Sequence, residues 1–323
     1  MKTLLITTAA AVALAASPAV AKTFKFGHVG APGSLFEASA ENFAACANER
    51  LPEGDEVQVF GSSQLGKDKE LLQKLKLGQV DFALPSSVMS SVDDRFGVFE
   101  MPYIIADREH MKRVRDAMME TTFQPAANEN GYRILGVWEN GFRNITNNVR
   151  PINTPEDLAG IKLRTPNGAW RVKMFQQYGA NPTPMAFSDV FTALQTGVID
   201  GQENPYAQIA SAKFGEVQTY MSNTGHVYTP AYLVTSTRGF DGLSDEQKTA
   251  ITECAVESQD FVLETAAQME SDLLADLSGQ MEVNDADKQA FIDASKPIYD
   301  EFANSVEGGQ ALIDEVQKLA SGS

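Results

Sequence analysis

Hydrophobic positions in the first third of the chain switch between the two-residue period of a strand and the longer period of a helix. Residues 23–29 alternate as an edge strand does, and residues 56–60 and 80–84 also have the pattern of strands. Residues 35–47 carry apolar side chains at helical spacing, and residues 67–77 form a second helical pattern with a leucine face. The order strand, helix, strand, helix, strand predicts an α/β domain with a largely parallel sheet.

A similar alternation occurs between residues 132 and 200. The pattern predicts strands over 132–138, 143–149, 161–164 and 198–200, and helices over 170–178 and 188–196. The second region shows no sequence repetition of the first, so we interpret it as a second α/β unit.

One segment near the end of the chain has the pattern of a single long helix. Ser244 and Gln247 form a possible capping box, and residues 245–277 contain neither Pro nor Gly. At ~1.5 Å per residue the helix would extend roughly 50 Å, which is longer than one small domain needs. It is therefore expected to brace two domains.

The first residues have the pattern of an export signal. A short positive start, Met1-Lys2, precedes an uncharged apolar run over 3–16, and Ala19-Val20-Ala21 reads A-x-A. This predicts a secretory signal peptide over residues 1–21, cleaved after Ala21, with an amphipathic first helix as the alternative. No later stretch is long and apolar enough to cross a bilayer, so we expect an exported periplasmic protein.

Composition and charge narrow the function classes. The 323 residues carry 26 Lys and Arg against 43 Asp and Glu, a formal charge of −17. This length suggests about two domains, and the acidic balance argues against nucleic acid as a partner. The chain has no P-loop, G-x-S-x-G, H-E-x-x-H or EF-hand motif, and its three histidines share no ligand spacing. We expect no catalytic residue, no metal and no cofactor.

The two cysteines leave two interpretations open. Cys46 and Cys254 both lie in amphipathic helical patterns, where a buried free cysteine is common. An oxidising compartment would also permit one disulfide between them.

Several motifs, in this order, carry a family resemblance. They are QLG at 64–66, LGQVDF at 77–82, GFRNITN at 141–147, TPEDLAGIKLRTPN at 154–167, GANPTPMAF at 179–187, ALQT at 193–196 and DGQENP at 200–205. Together they resemble the DctP-type substrate-binding proteins of TRAP transporters.

The resemblance implies a two-lobed α/β clamshell, each lobe a mainly parallel sheet flanked by helices, with the long helix bridging both. Lobe I would comprise residues 22–140 plus 228–268, and lobe II residues 141–227 plus 269–323. The protein would close on a small carboxylate, as a monomer, and deliver it to the small and large subunits of a TRAP membrane permease.

The resemblance also implies binding residues in lobe II. Arg164, in the K-L-R-x-P motif, would hold the carboxylate with two parallel hydrogen bonds, a role that an arginine at a strand end can fill. Arg143 would lie near the ligand or in the polar network behind it, and Asn204 would contact the ligand. Phe187 would form an apolar wall, and Glu203 and His226 would join Arg143 in a hinge network.

Three further candidates rest on weaker arguments. His28 and Ser86 follow predicted strands, where open α/β sheets bind ligands, and Trp170 is either a lining or a core residue. Sialate-binding members use acidic or amide side chains where this chain has Val29 and Ser86, which argues against sialic acid.

The candidate solutes are sugar acids, hydroxy- or keto-acids and C4-dicarboxylates. One alternative function is a secreted α/β enzyme acting on a small carboxylate, with Glu203 or His226 as the base. Another is a ligand-loaded partner of a membrane sensor.

Overall fold

The computed structural model describes residues 21–321, so most of the predicted signal peptide lies outside the described residues. Its strands are β1 Thr23–Gly27, β2 Glu56–Phe60, β3 Phe82–Ala83, β4 Tyr132–Phe142, β5 Asn144–Asn147, β6 Lys162–Thr165, β7 Asn181–Pro184, β8 Gly201–Asn204, β9 Tyr220–Asn223, β10 Tyr228–Ser236 and β11 Glu282–Asp285. Its α-helices are α1 Leu35–Arg50, α2 Asp68–Lys76, α3 Arg108–Met118, α4 Gln124–Glu129, α5 Ala169–Gln177, α6 Val190–Gln195, α7 Tyr206–Ser211, α8 Thr237–Asp241, α9 Asp245–Ser278, α10 Lys288–Ala294, α11 Lys296–Ser305 and α12 Gly309–Lys318.

The strands form two separate sheets. One has five strands in the order β2-β1-β3-β10-β4, and the other has six in the order β11-β9-β5-β8-β6-β7. We call the parts of the molecule built on the first and second sheets lobe I and lobe II.

Both sheets are mixed, whereas mainly parallel sheets were expected. In lobe I, β10 runs antiparallel to β3 and β4, and in lobe II, β5 runs antiparallel to β8 and β9. The physical reason is the chain path, because β4 leads directly into β5 and β9 returns to β10. A strand that crosses from one lobe to the other and back enters each sheet in opposite directions.

The two crossing segments lie side by side and form the hinge region. Only Arg143 separates the end of β4 from the start of β5, and its amide donates a hydrogen bond to the carbonyl of Val227, 2.9 Å away, on the returning segment. Tyr228 at the start of β10 then pairs with Phe142 at the end of β4. The lobes are therefore connected by a short two-stranded link.

The long helix α9 is the third connection between the lobes, as its length predicted. The side chain of Ser244 accepts a hydrogen bond from the amide of Gln247, so the capping box is present. The helix packs first against α1 and β4 of lobe I and then against α7 of lobe II. Its Ala255 belongs to the core of lobe I, whereas its Leu277 belongs to the core of lobe II.

The contact between α9 and β4 requires a glycine. A Cβ atom on Gly136 would lie 2.8 Å from the carbonyl oxygen of Ala255, closer than van der Waals contact permits. The next strand residue but one, Trp138, donates its indole N–H to the same carbonyl at 3.1 Å. Trp138 also packs against Phe26 and Phe43, so α9, β4, β1 and α1 share one aromatic core.

The C-terminal segment differs from the predicted division of the chain, which assigned all of 269–323 to lobe II. Helix α12 and the residues after it pack on lobe I: the ring Nε2 of His110 lies 2.7 Å from the carbonyl oxygen of Val316, and Arg113 donates to the carbonyl of Leu319. Residues 309–321 thus return to lobe I.

Within the described residues, none of the helices combines the length and the apolar character that a membrane span requires.

A disulfide joins α1 to α9. It links Cys46 to Cys254, which are 208 residues apart in the sequence. The structure therefore favours the disulfide interpretation over that of two free core cysteines.

We predict that removing this crosslink with the double substitution Cys46→Ala and Cys254→Ala lowers the free energy of unfolding by about 2–5 kcal/mol. The reason is that the crosslink closes a long loop and restricts the unfolded chain. Urea unfolding of the variant, beside the reduced and oxidised wild-type protein, measures the loss. Two titratable thiols in the unfolded, unreduced exported protein would contradict the bond.

Candidate functional site

A cavity of about 490 Å³ lies between the lobes, on the side of the hinge where several strands end. Lobe I contributes Val29, Phe36, Asp68, Ser86, Ser87 and Asn140 to its lining. The hinge and lobe II contribute Arg143, Arg164, Asn167, Phe187, Asn204 and Gln208.

Arg164 is the central cation of the cavity. It lies on β6, between β8 and the edge strand β7 of the lobe II sheet, and is 3% exposed. Its Nε and Nη2 donate to the carbonyl of Met185 at 3.1 and 2.7 Å, which fixes the plane of the guanidinium. Burial and the charge of Arg143 lower the pKa of Arg164 to about 10, so it remains charged at neutral pH.

No carboxylate among residues 21–321 forms an ion pair with Arg164, whose bonds to the protein go to a neutral carbonyl. A buried cation without an anionic partner is energetically costly. The phenyl ring of Phe187 also lines the cavity, and its centre lies 6.0 Å from the guanidinium carbon of Arg164. The arrangement is that of an anion site with an apolar wall.

Arg143 lines the same cavity but is already bound to a carboxylate. Its Nε donates to Oε2 of Glu203 at 2.5 Å, and its Nη2 donates to Oε1 at 2.9 Å. Both side chains are almost completely buried. Arg143 therefore has its charge balanced within the protein, whereas Arg164 does not.

Glu203 is the centre of a buried ionic network beneath the cavity. In addition to Arg143, it accepts a hydrogen bond from Nη1 of Arg171 at 2.6 Å, and Nη2 of Arg171 lies 2.7 Å from Glu100 of lobe I. Although burial alone would raise the pKa of Glu203, the guanidinium groups of Arg143 and Arg171 hold it well below its usual range. The network thus joins both lobes at the hinge.

His226 belongs to this network as a neutral side chain. Its Nε2 lies 3.1 Å from Oε2 of Glu203, and its Nδ1 lies 2.7 Å from the hydroxyl of Thr224. Burial lowers the pKa of His226 to about 4, so that the ring is uncharged at neutral pH. Nε2–H then donates to the carboxylate while Nδ1 accepts from Thr224.

The structure brings Arg143, Glu203 and His226 together, as the sequence analysis expected. Sequence reasoning missed Arg171 and Glu100, which complete the network. Nothing in the local pattern identifies them, because Arg171 is one polar residue in a mixed helix and Glu100 ends a short 3₁₀ turn.

Asn204 and Ser86 also lie at the cavity. Asn204 ends β8 and donates from Nδ2 to Oε1 of Gln202 at 2.5 Å. The Ser86 hydroxyl donates to the carbonyl of Pro230 at 2.7 Å and accepts from Nδ2 of Asn140 at 3.2 Å. Ser86 is thus held by the protein, and its neighbour Ser87 has a buried hydroxyl oxygen without a hydrogen-bond partner in the described residues.

His28 and Trp170 are placed differently from the prediction, because neither is among the residues lining the cavity. Neighbouring residues of an extended segment point in opposite directions, and Val29 is the one that reaches the cavity. His28 is buried, which lowers its pKa to about 4. Trp170 packs edge-on against Phe302 of α11 with ring centres 4.9 Å apart, so it is a core residue.

Asp68 and Gln208 are two polar lining residues that the sequence analysis missed. Asp68 is the first residue of α2, and burial raises its pKa to about 6 although the charge of Arg164 acts in the opposite direction. Gln208 lies on α7 and is 3% exposed. The only sequence signal is the position of each residue in the first turn of a helix that follows a family motif.

An ion pair joins the two lobes at the surface. Nζ of Lys67, which caps α2 in lobe I, lies 2.7 Å from Oδ2 of Asp189, which caps α6 in lobe II. Among residues 21–321, no group of three or more His, Cys, Asp or Glu side chains is arranged to hold a metal ion.

Comparison with known proteins gives consistent matches. The sequence profile of the DctP family, described as bacterial extracellular solute-binding protein, family 7, matches residues 26–305. The chain is 30% identical over 312 residues to the 2,3-diketo-L-gulonate-binding periplasmic protein YiaO of Escherichia coli K12, with 94% of this chain and 95% of that protein covered.

Solved structures show the same similarity. The sugar acid binding protein DctPAm of Advenella mimigardefordensis, in complex with galactonate, matches with a TM-score of 0.89 and 31% identity over 94% of this chain and 98% of that one. A TRAP periplasmic solute-binding protein of Shewanella oneidensis with bound succinate matches with a TM-score of 0.89 and 28% identity, over 94% of this chain and 100% of that one.

We predict that Glu203→Gln lowers the free energy of unfolding by about 3–5 kcal/mol, because it leaves two buried guanidinium groups without their shared anion. The matched control is Asp189→Asn, which breaks an exposed ion pair and should cost less than about 1 kcal/mol. Urea unfolding of both variants gives the comparison. Equal stabilities of the two variants would show that the network does not hold the hinge.

Proposed function

The chain belongs to the DctP family of bacterial extracellular solute-binding proteins, and from this premise we propose that it is a receptor that binds a small organic acid between its lobes. The acid would be passed unchanged to a TRAP-type membrane permease. The single observation that carries the proposal is the buried guanidinium of Arg164, which faces the cavity and has no carboxylate partner in the described part of the chain.

The chemistry of the cavity supports an anionic solute. Because Met185 occupies one edge of the Arg164 guanidinium, the remaining N–H groups are left for a ligand. A carboxylate at this position would form charge-assisted hydrogen bonds, which are about twice as strong as those between neutral groups. Phe187 would contact the carbon skeleton, and Asn204 would contact a hydroxyl or carboxyl oxygen.

The relatives support the same class of solute. The proteins named above are described as binding 2,3-diketo-L-gulonate, galactonate and succinate, each of which carries at least one carboxylate. For this chain the candidate solutes are accordingly sugar acids, hydroxy- or keto-acids and C4-dicarboxylates.

The arrangement of Glu203 and His226 supports a receptor rather than an enzyme. Both are completely buried, neither is among the cavity-lining residues, and each is bound within the hinge network. A general base must lie within hydrogen-bond reach of the proton it removes. A solute recovered chemically unchanged after long incubation with the protein supports this role, and the appearance of a product would contradict it.

The site of action follows from the same proposal. The relative from Escherichia coli is a periplasmic protein by name. We propose that this chain is exported by a signal peptide cleaved after Ala21 and acts in the periplasm as a monomer. Its partners there would be the small and large permease subunits.

We predict that Arg164→Ala weakens binding of the cognate acid roughly tenfold to hundredfold, equivalent to ~1.5–3 kcal/mol, because the carboxylate loses its charged donor. The acid is first found by a thermal-shift screen of organic acids, since a ligand specific for the folded state raises its melting temperature. Calorimetry then measures the dissociation constant.

The matched control is Lys162→Gln, which removes a positive charge from the exposed start of the same strand. It should leave the affinity unchanged. Unaltered affinity in Arg164→Ala would overturn the assignment of the carboxylate to this residue.

A further inference from the structure

Most charged side chains that the structure describes at and beneath the cavity form ion pairs with one another, and Arg164 and Asp68 are the two lining residues that do not. Arg143 and Arg171 share Glu203, and Arg171 also lies beside Glu100. The two carboxylates of this network are thus paired with Arg143 and Arg171, and Arg164 is left without an ion-pair partner in the described residues. A second solute carboxylate would have no cation of its own among the lining residues.

The side of the cavity formed by α2 is anionic. Asp68 lines the cavity from lobe I, and the charge of Arg164 acts on it across the cavity. No side chain of residues 21–321 donates a hydrogen bond to the Asp68 carboxylate, which is partly shielded from solvent. Burial raises its pKa to about 6, and in its ionised form it accepts hydrogen bonds and repels an anion.

A chain of hydrogen bonds fixes a second acceptor in the cavity. The hydroxyl of Ser86 donates to the carbonyl of Pro230, so its oxygen accepts from the amide nitrogen of Asn140. The amide oxygen of Asn140 consequently accepts from Nε2 of Gln208 at 3.3 Å. Because Nε2 of Gln208 is used as the donor in this series of hydrogen bonds, Oε1 of Gln208 remains as the acceptor at its end.

Oε1 of Gln208 is buried and has no partner in the described part of the chain. A buried acceptor without a donor is destabilising, because it has lost its hydrogen bond to water and gained none in exchange. Since Gln208 lines the cavity, a donor on the solute would remove this cost. Since Oε1 can only accept a hydrogen bond, the solute must supply the donor, such as a hydroxyl group.

We propose that Asp68 and Gln208 select for hydroxyl groups on the solute, so that the protein binds polyhydroxylated monocarboxylates and rejects C4-dicarboxylates. This inference rests on the proposed function and narrows its solute class. Arg164 takes the one carboxylate, the two acceptors take hydroxyl hydrogens, and Asp68 disfavours any second anion.

The test compares two panels of probes by calorimetry: C4–C6 polyhydroxy monocarboxylates such as erythronate and galactonate, and the dicarboxylates succinate and fumarate. In the wild-type protein the best polyhydroxy acid should bind at least ~100-fold more tightly than either dicarboxylate, because like charges placed together oppose binding strongly. In Asp68→Asn this ratio should shrink at least ~10-fold, chiefly through tighter binding of the dicarboxylates.

Glu109→Gln is the matched control, since Glu109 is an exposed acid in the first turn of another lobe I helix. It should change neither affinity. Gln208→Leu should weaken the polyhydroxy acid and leave succinate unchanged, and a melting temperature near that of wild type would show that it folds.

The outcomes separate this inference from the proposed function. If a dicarboxylate is the tightest wild-type ligand, or if Asp68→Asn leaves the ratio unchanged, the selection by Asp68 is wrong while the receptor function stands. If no acid of either panel or of the wider screen binds the wild-type protein, the proposed function itself fails.

Discussion

The ionic cluster around Glu203 is the constraint on which the rest of the site depends. One carboxylate without solvent contact holds Arg143 of the hinge link, Arg171 of α5 and the neutral ring of His226. Through Arg171 the same cluster reaches Glu100 of lobe I. Charges removed from water must find partners inside the protein, and each partner here comes from a different element. The cluster therefore fixes where the two lobes meet, and with it the position of the cavity above.

The buried ionic cluster contrasts with the exposed contact between the lobes at the surface. Lys67 and Asp189 form an exposed ion pair between the lobes, which water can replace at small cost. The hinge link, by comparison, is a buried two-stranded connection braced by α9. Motion that opens the cavity is thus expected to break the surface pair and to leave the ionic cluster intact. A solute bound by residues of both lobes would stabilise the closed arrangement.

Sequence patterns predicted the parts of the fold whose local signals agree with their environment. The 34-residue helix α9 was expected because no Pro or Gly interrupts it, and β1, β2 and α1 follow clear periodicities. The strands β9, β10 and β11 were missed, because their pairing depends on segments distant in the sequence. Every residue of β10 is buried, so it has no alternation to detect.

The site shows the same division between local and non-local information. Arg164, Asn204 and Phe187 were found through motifs, and Glu203 with His226 through the resemblance. His28 was expected at the cavity, but its neighbour Val29 lines it instead. Successive side chains of an extended segment point in opposite directions, so an error of one residue in the predicted register exchanges the two. Asp68 and Gln208 gave only the weak signal of a first helical turn after a motif, and Arg171 gave none, because the role of each depends on residues of other elements.

The pairing of Arg143 alters what the two arginines imply. Both arginines line the cavity. However, Arg143 donates its hydrogen bonds to Glu203. The hydrogen bonds that Arg164 forms within the described residues go to the neutral carbonyl of Met185. The number of arginines at a site is therefore a poor measure of the charge a ligand meets. The relevant quantity is the charge left after the protein's own ion pairs are formed, and the lining groups left unpaired here are the Arg164 guanidinium and the Asp68 carboxyl.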